Sequence, residues 1–154
     1  MILPIYTYGQ PVLRQEAEDI PLDYPELKTL ISNMIETMNK AEGVGLAAPQ
    51  VGVLKRIVVI DVTPEGDDPI ILINPRIVSK SGEQTGYEGC LSVPDFEGDV
   101  ERAEYVECEF TDLNGRRMLL QAHGLLAICV QHECDHLDGI LFVDKAKTLS
   151  RKEK

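Results

Sequence analysis

The sequence lacks any run of about 18 apolar residues, the length at which a helix begins to be able to span a bilayer. Residues 1–4 also lack the basic stretch and apolar run that open a secretory signal. Basic residues are few, with 15 Lys and Arg against 26 Asp and Glu and a formal net charge of -11. Because binding of a phosphate backbone needs a basic face, we expect a cytoplasmic protein that contacts neither membrane nor nucleic acid.

Internal repeats, low-complexity segments and linkers are also missing from the 154 residues. This length is usual for one domain and is sufficient to bury a core. The composition is 44% hydrophobic and 27% charged, as in ordinary folded proteins. We therefore predict a single domain over residues 1–154.

Cysteines number only four, at positions 90, 108, 129 and 134. In the cytoplasm they are expected to be reduced, which leaves metal ligation, nucleophilic catalysis or core packing as their roles. The apolar residues Val106, Cys108 and Phe110 alternate along the chain with Glu107 and Glu109. This alternation predicts that Cys108 points inward as a small apolar side chain.

Two helices are predicted, one near each end of the chain. Asp23 is expected to cap the first helix, with Pro25 in its first turn and Glu26 at the capping-box position. An apolar stripe follows at helical spacing, formed by Leu27, Leu30, Ile31, Met34, Ile35 and Met38. The second helix is predicted over residues 124–137, ends near Gly139, and is apolar around so much of its circumference that it must be largely buried.

Several short strands are predicted between the helices. Runs of β-branched residues at 56–61 and 70–73 are separated by a turn-rich loop, and the alternating segment 106–110 forms another strand. Asn114-Gly115 predicts a hairpin turn into a strand over 117–121. This order of helix, strands and helix favours an α+β fold with an antiparallel sheet.

The second helix carries the HExxH pattern as His132-Glu133-Cys134-Asp135-His136. Residues four apart lie about 40° apart on a helix, so both imidazoles can reach one metal ion. Glu133 lies one step round the helix, where it can act as a general base on a water bound to that ion. Two ordinary hydrogen-bonded histidines are the alternative, but buried polar groups cost several kcal/mol, roughly, unless they are paired or bind a metal.

A third metal ligand is needed, because catalytic sites of this type use three protein ligands and leave one position for water. The longer metalloprotease pattern HExxHxxGxxH matches at Gly139 but has Phe142 in place of the third histidine. Acidic residues after the pattern are few, and His123 lies more than two turns from His132. An upstream cysteine is the best remaining candidate.

Three segments resemble, in order, the signature motifs of the peptide deformylase family. They are GVGLAAPQ at 43–50, EGCLS at 88–92 and QHECDHL at 131–137, and the similarity extends from about residue 5 to residue 142. The resemblance implies an α+β fold in which antiparallel sheets pack around a buried C-terminal HExxH helix, with an N-terminal amphipathic helix. It also implies hydrolysis of the N-formyl group of formylmethionine on newly synthesised proteins, with release of formate.

The metal site is also implied by the resemblance. Cys90, His132 and His136 are expected to hold one divalent ion, natively Fe²⁺, with Zn²⁺, Ni²⁺ or Co²⁺ as substitutes in a preparation. A thiolate with two imidazoles suits Fe²⁺ or Zn²⁺ better than Mg²⁺ or Ca²⁺. A hydroxide on the metal would attack the formyl carbon, Gln50 and the Leu91 N–H would donate to the developing oxyanion, and Glu133 would pass the proton to the leaving amine.

The resemblance further implies a substrate pocket and a set of supporting charges. The expected walls of the methionine pocket are Val44, Leu125, Ile128 and Cys129, although these residues could equally be ordinary core. Gly45 and Gly89 are expected to let the substrate backbone approach and pair like a strand. The residues expected to orient and neutralise the site are Glu88, Arg102 and Asp135, an interpretation that exposure of Arg102 would contradict.

Two features depart from the family pattern. Glu97 stands where some members carry an arginine thought to touch substrate, so the peptide preference is open. After Phe142 the sequence has a short tail and not the long C-terminal helix that some bacterial members use at the ribosome. A transient ribosome contact is therefore left open. Separately, we expect a monomer.

Two other functions remain as alternatives. A zinc endopeptidase would need a third ligand where Phe142 stands. A structural metal protein would fill the fourth metal position with Cys134 or another cysteine, and would have no need of Gln50 or Glu133.

Overall fold

The computed structural model describes residues 1–152. The helices and strands run in the order α1 (Leu27–Lys40), β1 (Gly45–Ala47), β2 (Ile57–Ile60), β3 (Ile70–Ser81), β4 (Gln84–Cys90), β5 (Val93–Arg102), β6 (Tyr105–Thr111), β7 (Arg117–His123), α2 (Gly124–Leu137) and β8 (Ala146–Arg151). Short 3-10 turns cover Pro11–Arg14, Ala48–Val51 and Phe142–Asp144. The predicted α+β class with antiparallel pairing is confirmed.

A five-stranded antiparallel sheet with the order β1-β2-β3-β6-β7 carries the main core. Strand β2, which lies between β1 and β3, is buried along its whole length, as its β-branched sequence predicts. The predicted hairpin is confirmed, since β6 pairs with β7 around a turn in which Gly115 has a φ of 82°. Cys108 is fully buried in β6, as its alternation predicted.

Helix α2 packs on this sheet and is largely buried, which confirms the prediction from its apolar circumference. Its bounds are those predicted from the sequence. Gly139 follows with a φ of 75°, and a Cβ there would lie 2.6 Å from the carbonyl oxygen of Arg14. Only glycine therefore combines the left-handed turn with this close backbone approach.

The predicted start of α1 is wrong. The helix begins at Leu27, and Asp23 does not cap it; the residue before the helix is Glu26, with a φ of 62°. The Leu27 N–H donates to the Tyr24 carbonyl, so Pro25 and Glu26 are the central residues of a turn that precedes the helix. The predicted stripe does face the core, with Leu27, Ile31, Met34 and Met38 buried and Leu30 and Ile35 half-buried.

The resemblance implied more than one sheet, but the sequence patterns did not predict the strands of the second sheet, which has the order β4-β5-β8. Its strands are rich in glycine and charged residues, and β8 follows α2, so the strands do not all lie between the two helices. Gly98 of β5 permits the pairing with β8, because a Cβ there would lie 2.0 Å from the carbonyl oxygen of Thr148. Strand β3 also continues to Ser81, well beyond the predicted segment 70–73.

Neither helix within residues 1–152 has the length and hydropathy needed to cross a membrane.

Candidate active site

A cleft of about 550 Å³ opens between the two sheets. Strands β1 and β4 each stand at the end of their sheet, so each has one edge without a strand partner among residues 1–152. Residues of both strands line the cleft, and α2 lines it between them. The lining residues are Ala41, Glu42, Gly43, Val44, Gly45, Gly86, Tyr87, Glu88, Gly89, Cys90, Leu91, Pro94, Leu125, Ile128, Cys129, His132, Glu133 and Lys152.

Three potential metal ligands meet at this cleft. The ligand atoms of Cys90, His132 and His136 lie within 4.8 Å of one another, and no second cluster of this kind occurs in residues 1–152. The Cys90 Sγ, from the end of β4, lies 3.3 Å from Nε2 of His136 on α2. One sulfur and two imidazoles fit Fe²⁺ or Zn²⁺ and leave a fourth position for water.

A line of alternating charges supports His132. Its Nδ1 lies 2.8 Å from a carboxylate oxygen of Glu88, which leaves Nε2 as the nitrogen available to a metal ion. Arg102 is 4% exposed and donates two hydrogen bonds of 2.8 Å to Glu88 and one of 2.8 Å to Asp135. The ammonium of Lys145, which the sequence did not single out, lies 2.9 Å from Asp135.

The charge of Glu88 follows from these contacts. Burial would raise the pKa of its carboxyl, but hydrogen bonds from Arg102 and His132 outweigh burial and hold the pKa below the usual range. The anionic carboxylate can accept a hydrogen bond from Nδ1–H of His132, and in a neutral imidazole this leaves the Nε2 lone pair for a metal ion.

Glu133 is 5% exposed and lies beside the triad, with one carboxylate oxygen 3.9 Å from Nε2 of His132. Burial raises the pKa of its carboxyl to about 7, where a group can both accept and return a proton at neutral pH. Its Oε1 is buried and has no hydrogen-bond partner within residues 1–152. Gly45 forms the wall behind it, because a Cβ at Gly45 would lie 2.5 Å from Oε2 of Glu133.

Hydrogen bonds hold the Gln50 side chain next to the Cys90 sulfur. Its Oε1 accepts a hydrogen bond of 2.9 Å from the Ala47 N–H, and its Nε2 donates to Ser92 Oγ at 3.0 Å and lies 3.5 Å from Cys90 Sγ. Ser92 is fully buried, and its own N–H points to the same sulfur at 3.4 Å. Ser92 belongs to the motif at 88–92, but no role was predicted for it; its position two residues after Cys90 was the available signal.

The predicted pocket residues differ in exposure. Val44 and Leu125 are 47% and 57% exposed, whereas Ile128 is half-buried and Cys129 is buried. Burial raises the pKa of the Cys129 thiol to about 12, so this sulfur remains a neutral apolar wall. Gly89 faces open space, since no atom of the described part of the chain lies within 4 Å of a Cβ built on it. Gly86 was not predicted, and a Cβ there would lie 2.8 Å from Cδ1 of Ile128.

Several residues considered in the sequence lie away from the triad. His123 is exposed next to Glu104, and the side chain of Cys134 packs in the core beside Cys108. The ring of Phe142 stacks on His132 at 6.1 Å between centroids, so the position of the missing histidine supplies packing. Glu97 lies on β5 opposite Ser150 and is not among the residues that line the cleft.

An HExxH helix that meets a third ligand beside a cleft is typical of metal-dependent hydrolases. The family model for polypeptide deformylase matches residues 2–152. The peptide deformylase of Desulfitobacterium hafniense is 50% identical over 151 residues, covering 98% of this chain and 99% of that protein.

Solved structures give the same result. A peptide deformylase from Synechococcus elongatus in complex with actinonin matches with a TM-score of 0.89 at 48% identity, over 95% of this chain and 79% of that chain. The peptide deformylase of Thermotoga maritima matches with a TM-score of 0.90 at 37% identity, over 96% of this chain and 99% of that chain. The chain therefore belongs to the polypeptide deformylase family, metal-dependent hydrolases that remove the formyl group from formyl-methionyl peptides.

Proposed function

We propose that this chain deformylates the N-terminal formylmethionine of newly synthesised proteins, with Cys90, His132 and His136 holding one divalent ion and Glu133 carrying the proton. The observation that carries the proposal is the meeting of one sulfur and two imidazoles beside a buried carboxylate at the side of an open cleft. We propose Fe²⁺ as the native ion, since the donor set includes a soft sulfur. When bound, such an ion would acidify a water molecule and polarise the formyl oxygen.

Glu133 would remove a proton from the attacking water and deliver it to the methionine nitrogen as the C–N bond breaks. This double role requires a pKa near the working pH, and burial supplies it. The carboxylate oxygen without a hydrogen-bond partner within residues 1–152 is free to take the proton.

Gln50 and the Leu91 N–H would donate hydrogen bonds to the formyl oxygen as negative charge develops on it. The Gln50 amide is buried and fixed through Ala47 and Ser92, so its orientation costs little reorganisation during the reaction. Loss of one such donor typically lowers the rate by about 10²- to 10³-fold.

The substrate peptide would lie extended between the unpaired edges of β1 and β4. The free edge of β4 at Gly89 offers backbone groups for strand-like pairing. The methionine side chain would contact the apolar wall formed by Val44, Leu125, Ile128 and Cys129.

Four further properties stay predictions from the sequence: a single domain, a monomer, a cytoplasmic location and a transient ribosome contact.

The test of the proton carrier is formate release from formyl-Met-Ala-Ser by the Fe²⁺- or Ni²⁺-loaded protein. Glu133→Ala should lower kcat by about 10²- to 10⁴-fold, because a positioned base contributes that much, while metal content is retained. Glu109→Ala, which removes a surface carboxylate on β6, is the matched control and should keep the wild-type rate. Undiminished formate release by Glu133→Ala would contradict the proposed role.

The test of the metal ligands is the bound metal measured by mass spectrometry after gel filtration. Cys90→Ala should lose the ion, since two imidazoles alone hold it weakly. Cys108→Ala removes a core thiol outside the triad and should retain one ion per chain. Equal metal content in the two variants would contradict the assignment of Cys90.

A further inference from the structure

Lys152 lies at the rim of the cleft, just after β8. Its backbone N–H donates to the carbonyl of Asp95 at 2.7 Å, so the chain is fastened to β5 at this point. The residue before it, Arg151, pairs with Phe96, and its guanidinium lies 5.6 Å from the centre of that ring. These contacts hold the end of β8 beside Pro94 and bring Lys152 into the cleft wall.

Lys152 differs in charge from the other side chains of the wall. Among the described residues that line the cleft it is the one lysine or arginine, whereas Glu42, Glu88 and Glu133 are acidic. Lys145 and Lys147 of the same region are paired with Asp135 and Glu101. Lys152 is exposed, and no carboxylate of residues 1–152 forms an ion pair with it.

The rim at Lys152 is available to the part of the substrate that follows methionine. In the proposed reaction the formyl group has to reach the triad, and the methionine side chain would contact the apolar wall formed by Val44, Leu125, Ile128 and Cys129. Lys152 belongs to neither region, so the later residues of an extended peptide are the ones that reach it. Because the chain carries a formal net charge of -11, it repels acidic peptides in general. A cation in the cleft wall that has no ion-pair partner within residues 1–152 changes this locally.

We propose that Lys152 determines specificity in the proposed deformylation by attracting a carboxylate of the substrate downstream of the formylmethionine. The carboxylate is either an Asp or Glu side chain or, in a short peptide, the free C-terminus. The inference rests on the proposed function and adds a substrate preference to it. The residue touches neither the triad nor Glu133, so it acts on substrate affinity and not on the chemical step.

The experiment compares kcat/KM for amidated formyl-Met tetrapeptides that differ only by Glu or Gln at the second, third or fourth residue. The ratio of the Glu peptide to the Gln peptide isolates the charge, since the two side chains have nearly the same shape. Lys152→Gln should lower this ratio by about two- to five-fold at one peptide position, the effect of one exposed ion pair, and Lys152→Glu should lower it further. The change should appear in KM and shrink at high salt.

Lys147→Gln is the matched control, because it removes the same charge from β8 at a residue that does not line the cleft. Its Glu-to-Gln ratio should stay near the wild-type ratio. A peptide with a free C-terminus, compared with its amide, shows whether the terminal carboxylate is the group that Lys152 attracts.

Two results would overturn the inference: ratios that are the same for the wild type and Lys152→Gln at every position and for both C-termini, or an equal change in Lys147→Gln. Both leave formate release from the Gln peptides intact and therefore leave the proposed function standing. Absence of formate release from every peptide with the wild-type protein would instead refute the proposed function and this inference with it.

Discussion

Replacing Gly45 with alanine should disable the base without touching the metal ligands. Gly45 lies in β1 opposite Ile60, with an ordinary strand conformation that alanine also adopts. The added Cβ would lie 2.5 Å from Oε2 of Glu133, 2.9 Å from its Cδ and 3.0 Å from its Cγ. Ordinary contacts begin at about 3.4 Å, so the carboxylate has to retreat by about 1 Å.

A displacement of this size has a predictable cost. A misplacement of about 1 Å in a reacting group lowers the rate by about 10²-fold, or about 2.7 kcal/mol in the barrier. Oε1 of Glu133 forms no hydrogen bond with residues 1–152, so no hydrogen bond through that oxygen opposes the displacement of the carboxylate. We expect kcat for formate release to fall by this factor, with metal content and melting temperature near those of the wild type.

A double-mutant cycle with Glu133→Ala tests the cause. If Gly45→Ala acts through the carboxylate, it should have almost no further effect once Glu133 is alanine, because the side chain it displaces is gone. If alanine instead blocks the substrate backbone at Gly45, KM should rise by the same factor in both backgrounds. An undiminished loss in the Glu133→Ala background would refute the reasoning.

Three further predictions concern metal affinity, core stability and pH. Glu88→Gln should weaken metal binding by about 10- to 100-fold in a competition titration with a chelator, because the partner of His132 Nδ1 loses its charge. Met34→Ala should lower the free energy of unfolding by about 2–5 kcal/mol in urea, since Met34 is fully buried. Hydrogen bonds lower the pKa of Asp61, and the one from the Thr63 hydroxyl has the largest effect. The Asp61 carboxylate therefore stabilises the fold at a pH above its pKa in the unfolded chain, and this stabilisation is lost as the pH falls through its pKa in the folded protein. Asp61→Asn should therefore cost about 1–2 kcal/mol at pH 7, and urea unfolding should show the difference shrinking toward pH 3.

Helix α2 and its chemistry could be predicted because one short segment contains the whole pattern. The apolar residues of 124–130 demand burial, and His132, Glu133 and His136 keep fixed angular relations on any helix. Only the third ligand lies elsewhere in the chain. Cys90 was reached by exclusion and by resemblance, since no local rule connects it to α2.

The strands of the second sheet could not be predicted from local sequence patterns, because they depend on contacts with distant parts of the chain. Gly86 and Gly98 weaken the strand pattern of their segments, yet each is required by a neighbour: Gly86 by Ile128, and Gly98 by the backbone of Thr148. The prediction of where α1 starts failed for a related reason, since Pro25 suits the first turn of a helix and the second position of a β-turn equally well. Local sequence does not distinguish these cases; the contacts do.

The ion-pair network explains why the triad assembles from two separate elements. Glu88 and Cys90 lie two residues apart on β4, and both side chains reach α2, one at Nδ1 of His132 and the other at Nε2 of His136. Arg102 joins Glu88 of β4 to Asp135 of α2 through a buried guanidinium. Because loss of one partner of such a network leaves an unpaired buried charge that costs about 3–5 kcal/mol, a shift of β4 along α2 is strongly disfavoured. The same charges that orient His132 therefore also fix the register that places the sulfur beside the two rings.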